Sequence, residues 1–170
     1  MKMDFTATYL EFESTRSFAE VVSAFESATG SLEHDGDRDA VRSAESREDF
    51  ERVIQSHEGT SGFMRFLKVD HGVWMNKFEG STAQSAVYTL GNPLIARTML
   101  IDDVAAGLNV PVRVHIYEAS DGTVRFGYHL PSSLMSVYQN EAVMAACLKL
   151  DEKLAALASK STGSDHIQTL

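Results

Sequence analysis

Two stretches of this 170-residue chain bring together side chains that could do chemistry. The first is Leu90-Gly91-Asn92-Pro93-Leu94. Glycine accepts positive φ without steric penalty, asparagine is a favoured helix N-cap, and proline at the first helical position loses no hydrogen bond. A strand is therefore expected to stop, the backbone to turn, and a helix to start with free amides pointing out of the turn. Such a helix start can hold a carboxylate or phosphate. The competing account is that Asn92 satisfies those amides itself and Gly91 serves only the bend, and we weigh it above the anion site.

The second stretch is the pair of strands joined at Ser120-Asp121-Gly122-Thr123. Asp-Gly suits a two-residue type I′ hairpin. That register sets Glu118 opposite Arg125, Tyr117 opposite Phe126 and His115 opposite Tyr128, and opposed residues share a face. One face then carries Arg113, His115, Tyr117, Phe126 and Tyr128. The other carries Val112, Val114, Ile116 and Gly127, with His129 near its end, and is the natural one to bury under helices. An aromatic face with a histidine and an arginine is not expected to stand bare in water. It either lines a pocket for a small anionic or aromatic ligand, with Gly91, Asn92, Arg113, His115, Tyr117, Phe126 and Tyr128 as contacts, or meets its own copy in a second subunit. We favour the interface, and both hold if a pocket lies at the seam.

These residues support two functions. The first is a non-catalytic, homodimeric small-molecule-binding or interaction domain. The alternative is an enzyme with His115 or His129 as general acid/base and an anionic group held at the Gly91-Asn92-Pro93 helix start. Other chemistry fares worse. His71, His115 and His129 form no H-x-H or H-x-x-x-H pair, so no metal site is predicted. Counting a calcium loop from Asp35 puts Ala40 and Ser46 where glycine and glutamate are needed. Asp70 and His71 are adjacent, and adjacent strand residues point to opposite faces. Cys147, the only cysteine, lies on an apolar helix stripe and reads as an inert core thiol. No phosphate loop or G-x-S-x-G elbow is present, and no cofactor is predicted.

Composition bounds the partners. The net charge of −9 opposes a nucleic-acid footprint and adhesion to anionic membranes. No run reaches the ~20 apolar residues of a membrane span, and the first residues lack an apolar leader pattern. A cytoplasmic location is the expectation.

The elements that must position these groups follow from periodicity. A strand is expected over Asp4–Glu13, then a helix opened by the Ser17/Glu20 capping box with Phe18, Val21, Val22 and Phe25 on one side. Residues 31–45 read as a mobile charged loop, and Ser46 as the cap of a second helix. Phe63–Val69 and Val73–Phe78 read as a hairpin turning at Asp70-His71-Gly72. A strand ending at Gly91, the Pro93 helix, two strands flanking Asp121-Gly122, and a helix capped by Asn140 complete the order. The last helix carries Val143, Cys147, Leu150, Leu154 and Leu157 as its stripe. The prediction is a single α+β domain over residues 1–160 with a polar tail over 161–170. Its sheet is antiparallel or mixed, of about six strands with helices on one face, in the order β-α-α-β-β-β-α-β-β-α.

The run Tyr88-Thr89-Leu90-Gly91-Asn92-Pro93-Leu94-Ile95-Ala96, the strand Val110-Pro111-Val112-Arg113-Val114, the hairpin from Tyr117-Glu118 to Gly122, Tyr128 with Pro131-Ser132-Ser133, and Leu150-Asp151-Glu152-Lys153-Leu154 occur in that order. As a set they resemble the bacterial family known as domain of unknown function 302, most densely from about Gly62 to Leu157. The resemblance implies a compact α+β domain of the TATA-binding-protein-like class that often self-associates. It implies no established biochemical role, and the fold-class name brings no DNA binding with it. The chain departs from the family pattern at His129-Leu130, where an acidic residue is expected before Pro131, and at His115, where an aliphatic one is expected.

Overall fold

Buried and half-exposed residues alternate without a break along Ser85–Gly91, the signature of a strand with one face in a core. In the computed structural model, which describes residues 2–164, this is the fourth of six strands. The chain runs β1 (Tyr9–Ser14), α1 (Phe18–Ala28), β2 (Gly30–Ser31), α2 (Asp35–Arg42), α3 (Arg47–His57), β3 (Met64–Asp70), α4 (His71–Glu79), β4 (Ser85–Gly91) and α5 (Pro93–Leu100). It continues through a 3-10 turn to β5 (Val112–Glu118), β6 (Val124–His129), α6 (Pro131–Met135), a second 3-10 turn and α7 (Glu141–Thr162). The strands lie in the order β1-β6-β5-β4-β3-β2, all antiparallel except the short β2, which runs parallel to β3. The class is α+β, with a mixed sheet.

One face of the sheet is the core. Phe12, Tyr88, Leu90, Val114, Ile116 and Phe126 point into it and are buried beneath α1 and α7. From α1 come Val21 and Phe25, from α7 the stripe Val143, Cys147, Leu150, Leu154 and Leu157. Each such side chain, fully buried, contributes roughly 1.5–3 kcal/mol relative to exposure. The capping signals hold where they were read. Ser17 and Glu20 form both halves of a capping box, Ser46 accepts from Asp49 N, and Asn140 accepts from Ala142 N and Val143 N. The opposite face carries Tyr9, Glu11, Arg125, His115, Val87 and Leu67 and is open over most of its extent. Among the described residues one corner is closed, where Leu32, just after β2, and Ile54 of α3 pack over Met64.

Four expectations are corrected. Residues 31–45 are not a loop: Gly30–Ser31 adds a strand to the sheet and Asp35–Arg42 is helical. The segment Val73–Phe78 is not the return strand of a hairpin but lies in α4. Asp70 caps that helix by accepting from Val73 N at 3.1 Å, and Gly80, at φ 68°, ends it. The strand expected from Asp4 starts only at Tyr9. Most consequential is the hairpin. Ala119, not Ser120, pairs with Thr123, so the loop has three residues and Gly122 takes φ 84°. This is the turn followed by a left-handed glycine, one residue longer than the type I′ reading. Asp121 is held out of the left-handed region by accepting from Thr123 N and Oγ1.

A one-residue slip sends every side chain of the second strand to the other face. The pairs are therefore Tyr117 with Arg125, Ile116 with Phe126, His115 with Gly127 and Val114 with Tyr128. Helix α7 runs through Thr162, with Ser161 and Thr162 buried, two residues beyond the expected end of the domain; the rest of the expected tail, residues 165–170, lies outside the described residues. Because Gly122 sets the hairpin from the left-handed region, Gly122→Ala is expected to lower unfolding stability by about 1 kcal/mol in urea titration, even though its added methyl group meets open space.

Candidate functional site

The junction of β4 and α5 is built around the Asn92 side chain, which is buried. Its Oδ1 accepts from Leu94 N at 2.8 Å, and its Nδ2 donates to Glu58 Oε2 at 2.7 Å and to Gly62 O at 2.9 Å. Ile95 N and Ala96 N both donate to Asn92 O. With Pro93 lacking an N–H, the first turn of α5 has no amide left for an anion. Gly91 does not use positive φ, contrary to the reason read for it. It ends β4 as an extended residue, and its missing side chain makes room. A Cβ there would stand 3.3 Å from the Phe66 ring and 3.4 Å from Pro111 Cβ.

That room is part of a cavity of about 470 Å³, a volume usual for small-molecule sites. Phe50 from α3, Phe66 from β3, Ile95 and Met99 from α5, Pro111 ahead of β5, and Leu150 from α7 are among its walls. The polar side chains in the lining are Asn92, whose groups are all engaged, and Arg97, which pairs with Glu51 at 3.4 Å. Gly91 and Asn92 were marked in the sequence, but as an anion site. The apolar cavity beside them was not legible, because its walls come from separate segments spread between Phe50 and Leu150.

The other marked residues divide between the two faces of the sheet. Phe126 and Tyr128 lie in the core, a consequence of the register correction. Arg113, His115 and Tyr117 stay together on the open face, joined there by Arg125 and His129. The centre of that face is a residue the sequence reading passed over, Glu11, which is 4% exposed. Its Oε2 accepts from Tyr9 OH at 2.8 Å and from Tyr117 OH at 2.5 Å, and its Oε1 from Arg125 Nη1 at 3.2 Å. Gly127 makes this possible, since a side chain there would collide with the Tyr9 phenol that reaches across it. Burial and the Glu11 carboxylate push both phenols above their ordinary pKa, so they act as donors. The signal available in the sequence was an acid two residues after Tyr9 and on the same strand face, which needs partners if it is to be buried.

His115 stacks on Tyr117 with ring centroids 4.5 Å apart, and its Nε2 lies 2.9 Å from Ser85 Oγ. His129 is exposed and packs edge-on against Tyr9. In α7, burial raises the Cys147 thiol to about 11, so it stays protonated beside the Met99 and Met135 sulfurs.

Burial, with His71 nearby, lowers the His115 pKa, and Glu11 offsets this only in part. The folded state therefore binds fewer protons than the unfolded chain below the ordinary histidine value of about 6.5. Stability from this group is full above that value and is lost as pH falls through the lowered folded one. The drop in Tm from about pH 7.5 to about pH 5.5 is expected to be smaller in His115→Gln than in the native protein, measured by circular dichroism.

The comparisons agree with this architecture. The model of the family described as domain of unknown function DUF302 matches residues 40–161. Among curated proteins nothing matches. A crystal structure of an uncharacterized conserved DUF302 protein from Bacillus stearothermophilus superposes with a TM-score of 0.63 at 14% identity, covering 90% of this chain and 97% of that one. At that identity the likeness shows the fold alone. With most of its length matched by the family model, the chain belongs to the DUF302 family.

Proposed function

We propose that this protein is a small-molecule-binding domain whose ligand sits in the apolar cavity at the β4–α5 junction. The observation that supports this most is the cavity itself. Its volume suits a ligand, its walls are aromatic and aliphatic, and its one deep polar side chain is already satisfied. An open-sided pocket of this size leaves aromatic and aliphatic side chains facing water, a costly surface unless something covers it.

The enzymatic alternative has less support. His115 stands opposite Val87, and Gly91 lies four residues further along β4, roughly 13 Å away at strand spacing. A histidine acid/base and the α5 start do not meet on one small substrate. His115 also spends its Nε2 on Ser85.

The open sheet face suits a second copy of the chain. The charged groups on its strands, Glu11 and Glu13 against Arg113 and Arg125, cancel, and Asp121 at the hairpin loop leaves it near neutral, whereas the chain as a whole carries −9. Two copies meeting there bring the least like charge together. Leu67 and Val69 on β3 are exposed on the same face and supply apolar area.

Each half of the proposal has a measurement. A thermal-shift screen of apolar compounds at ~100 times their Kd is expected to add about 2.7 kcal/mol of stability, hence several degrees in Tm. Ala96→Trp, which fills the cavity from α5, is expected to abolish the shift. No shift with any apolar compound contradicts the reading. Light scattering on the eluting protein is expected to give twice the 18.7 kDa of one chain, and Leu67→Asp to return it to one. A native monomer contradicts the dimer.

A further inference from the structure

Among the described residues the cavity wall has a single cation, and it narrows the class of ligand. Arg97 projects from the second turn of α5 into the lining, and its side chain is 39% exposed. Its partner Glu51 is shared. The Glu51 Oε1 that lies 3.4 Å from Arg97 Nη1 lies 2.8 Å from Arg47 Nε. Glu51 therefore keeps its shorter ion pair when Arg97 turns toward something else. The three side chains sum to one positive charge, locally opposite to the acidic balance of the whole chain. A guanidinium offers a planar fork that matches a carboxylate in two parallel hydrogen bonds.

We infer that the cavity takes an amphipathic monoanion, with an apolar chain or ring body inside and a carboxylate at the mouth on Arg97. This rests on the reading of the cavity as a ligand site and goes further by naming the head group. A neutral apolar ligand gains only burial, whereas an acid of the same length adds charge-assisted hydrogen bonds. The head group belongs on Arg97 because the alternatives are taken. The α5 amides are capped by Asn92, and the Asn92 carboxamide is itself committed to Glu58 and Gly62.

The test compares decanoate with 1-decanol by protein-observed NMR titration of the full chain, native and with Arg97→Gln or Ala96→Trp. Native protein is expected to bind decanoate about tenfold or more tightly than decanol. Arg97→Gln is expected to bring the two within about twofold, by weakening decanoate alone, and Ala96→Trp to lose both. Equal affinities in the native protein, with both lost in Ala96→Trp, overturn the carboxylate assignment while the cavity reading stands. No binding of either compound overturns both. Decanoate binding that survives in a folded Ala96→Trp variant also overturns the assignment, because the anion is then held elsewhere. If Arg97→Gln does not fold, the native ratio decides.

Discussion

One buried carboxamide holds the β4–α5 end of the molecule in place. Asn92 closes the first turn of α5, reaches the C-terminal end of α3 through Glu58 and the loop before β3 through Gly62, and follows directly on β4. A buried amide whose donors and acceptor are all used fixes its neighbours in one arrangement, because any shift leaves a polar group unpaired. Helix α5 is thereby pinned at its start, and the apolar side of Ile95 and Met99 cannot simply collapse onto Phe66 and Pro111. The cavity follows from this tether together with the missing side chain at Gly91. The same hydrogen bonds that stop the helix start from being an anion site hold open the space beside it.

The sheet divides the remaining work. Its core face is aliphatic and aromatic, and its packing under α1 and α7 carries stability. Its open face is organised by Glu11, which gathers Tyr9, Tyr117 and Arg125 and lies beneath them. A buried carboxylate is tolerated only when its lone pairs are met, and here two hydroxyls and a guanidinium meet them. Arg125 is then shared with Glu13 and Asp121, so the network extends to the hairpin loop. In this network three carboxylates share one guanidinium, so Arg125 is what ties the strand acids to the loop acid.

What could be read in advance was whatever has a local cause. The Ser17/Glu20 box, the Asn92-Pro93 helix start, the Asn140 cap and the α7 stripe are each dictated by a few residues and a fixed period, and all are present. The failures came where two local readings compete. Asp121-Gly122 serves a two-residue and a three-residue loop alike, and the choice was made by Asp121 bonding to Thr123, which leaves only Gly122 left-handed. The Asp70-His71-Gly72 turn signal concealed an Asp70 helix cap that a closing Gly80 supports. Features with no local cause were beyond reach. Glu11 finds Tyr117 and Arg125 across more than a hundred residues, and the cavity walls come from α3, β3, α5 and α7.

The claim on which the rest depends is that the β4–α5 junction keeps an apolar space open in the unliganded protein. Xenon binds apolar protein cavities because it gains dispersion contacts there and needs no hydrogen bonds. A crystal of the native protein under xenon pressure tests it without any assumption about the natural ligand. The account predicts xenon between Phe66, Gly91, Ile95 and Pro111. Ordered water at that position, or side chains closed over it with no xenon, would contradict it.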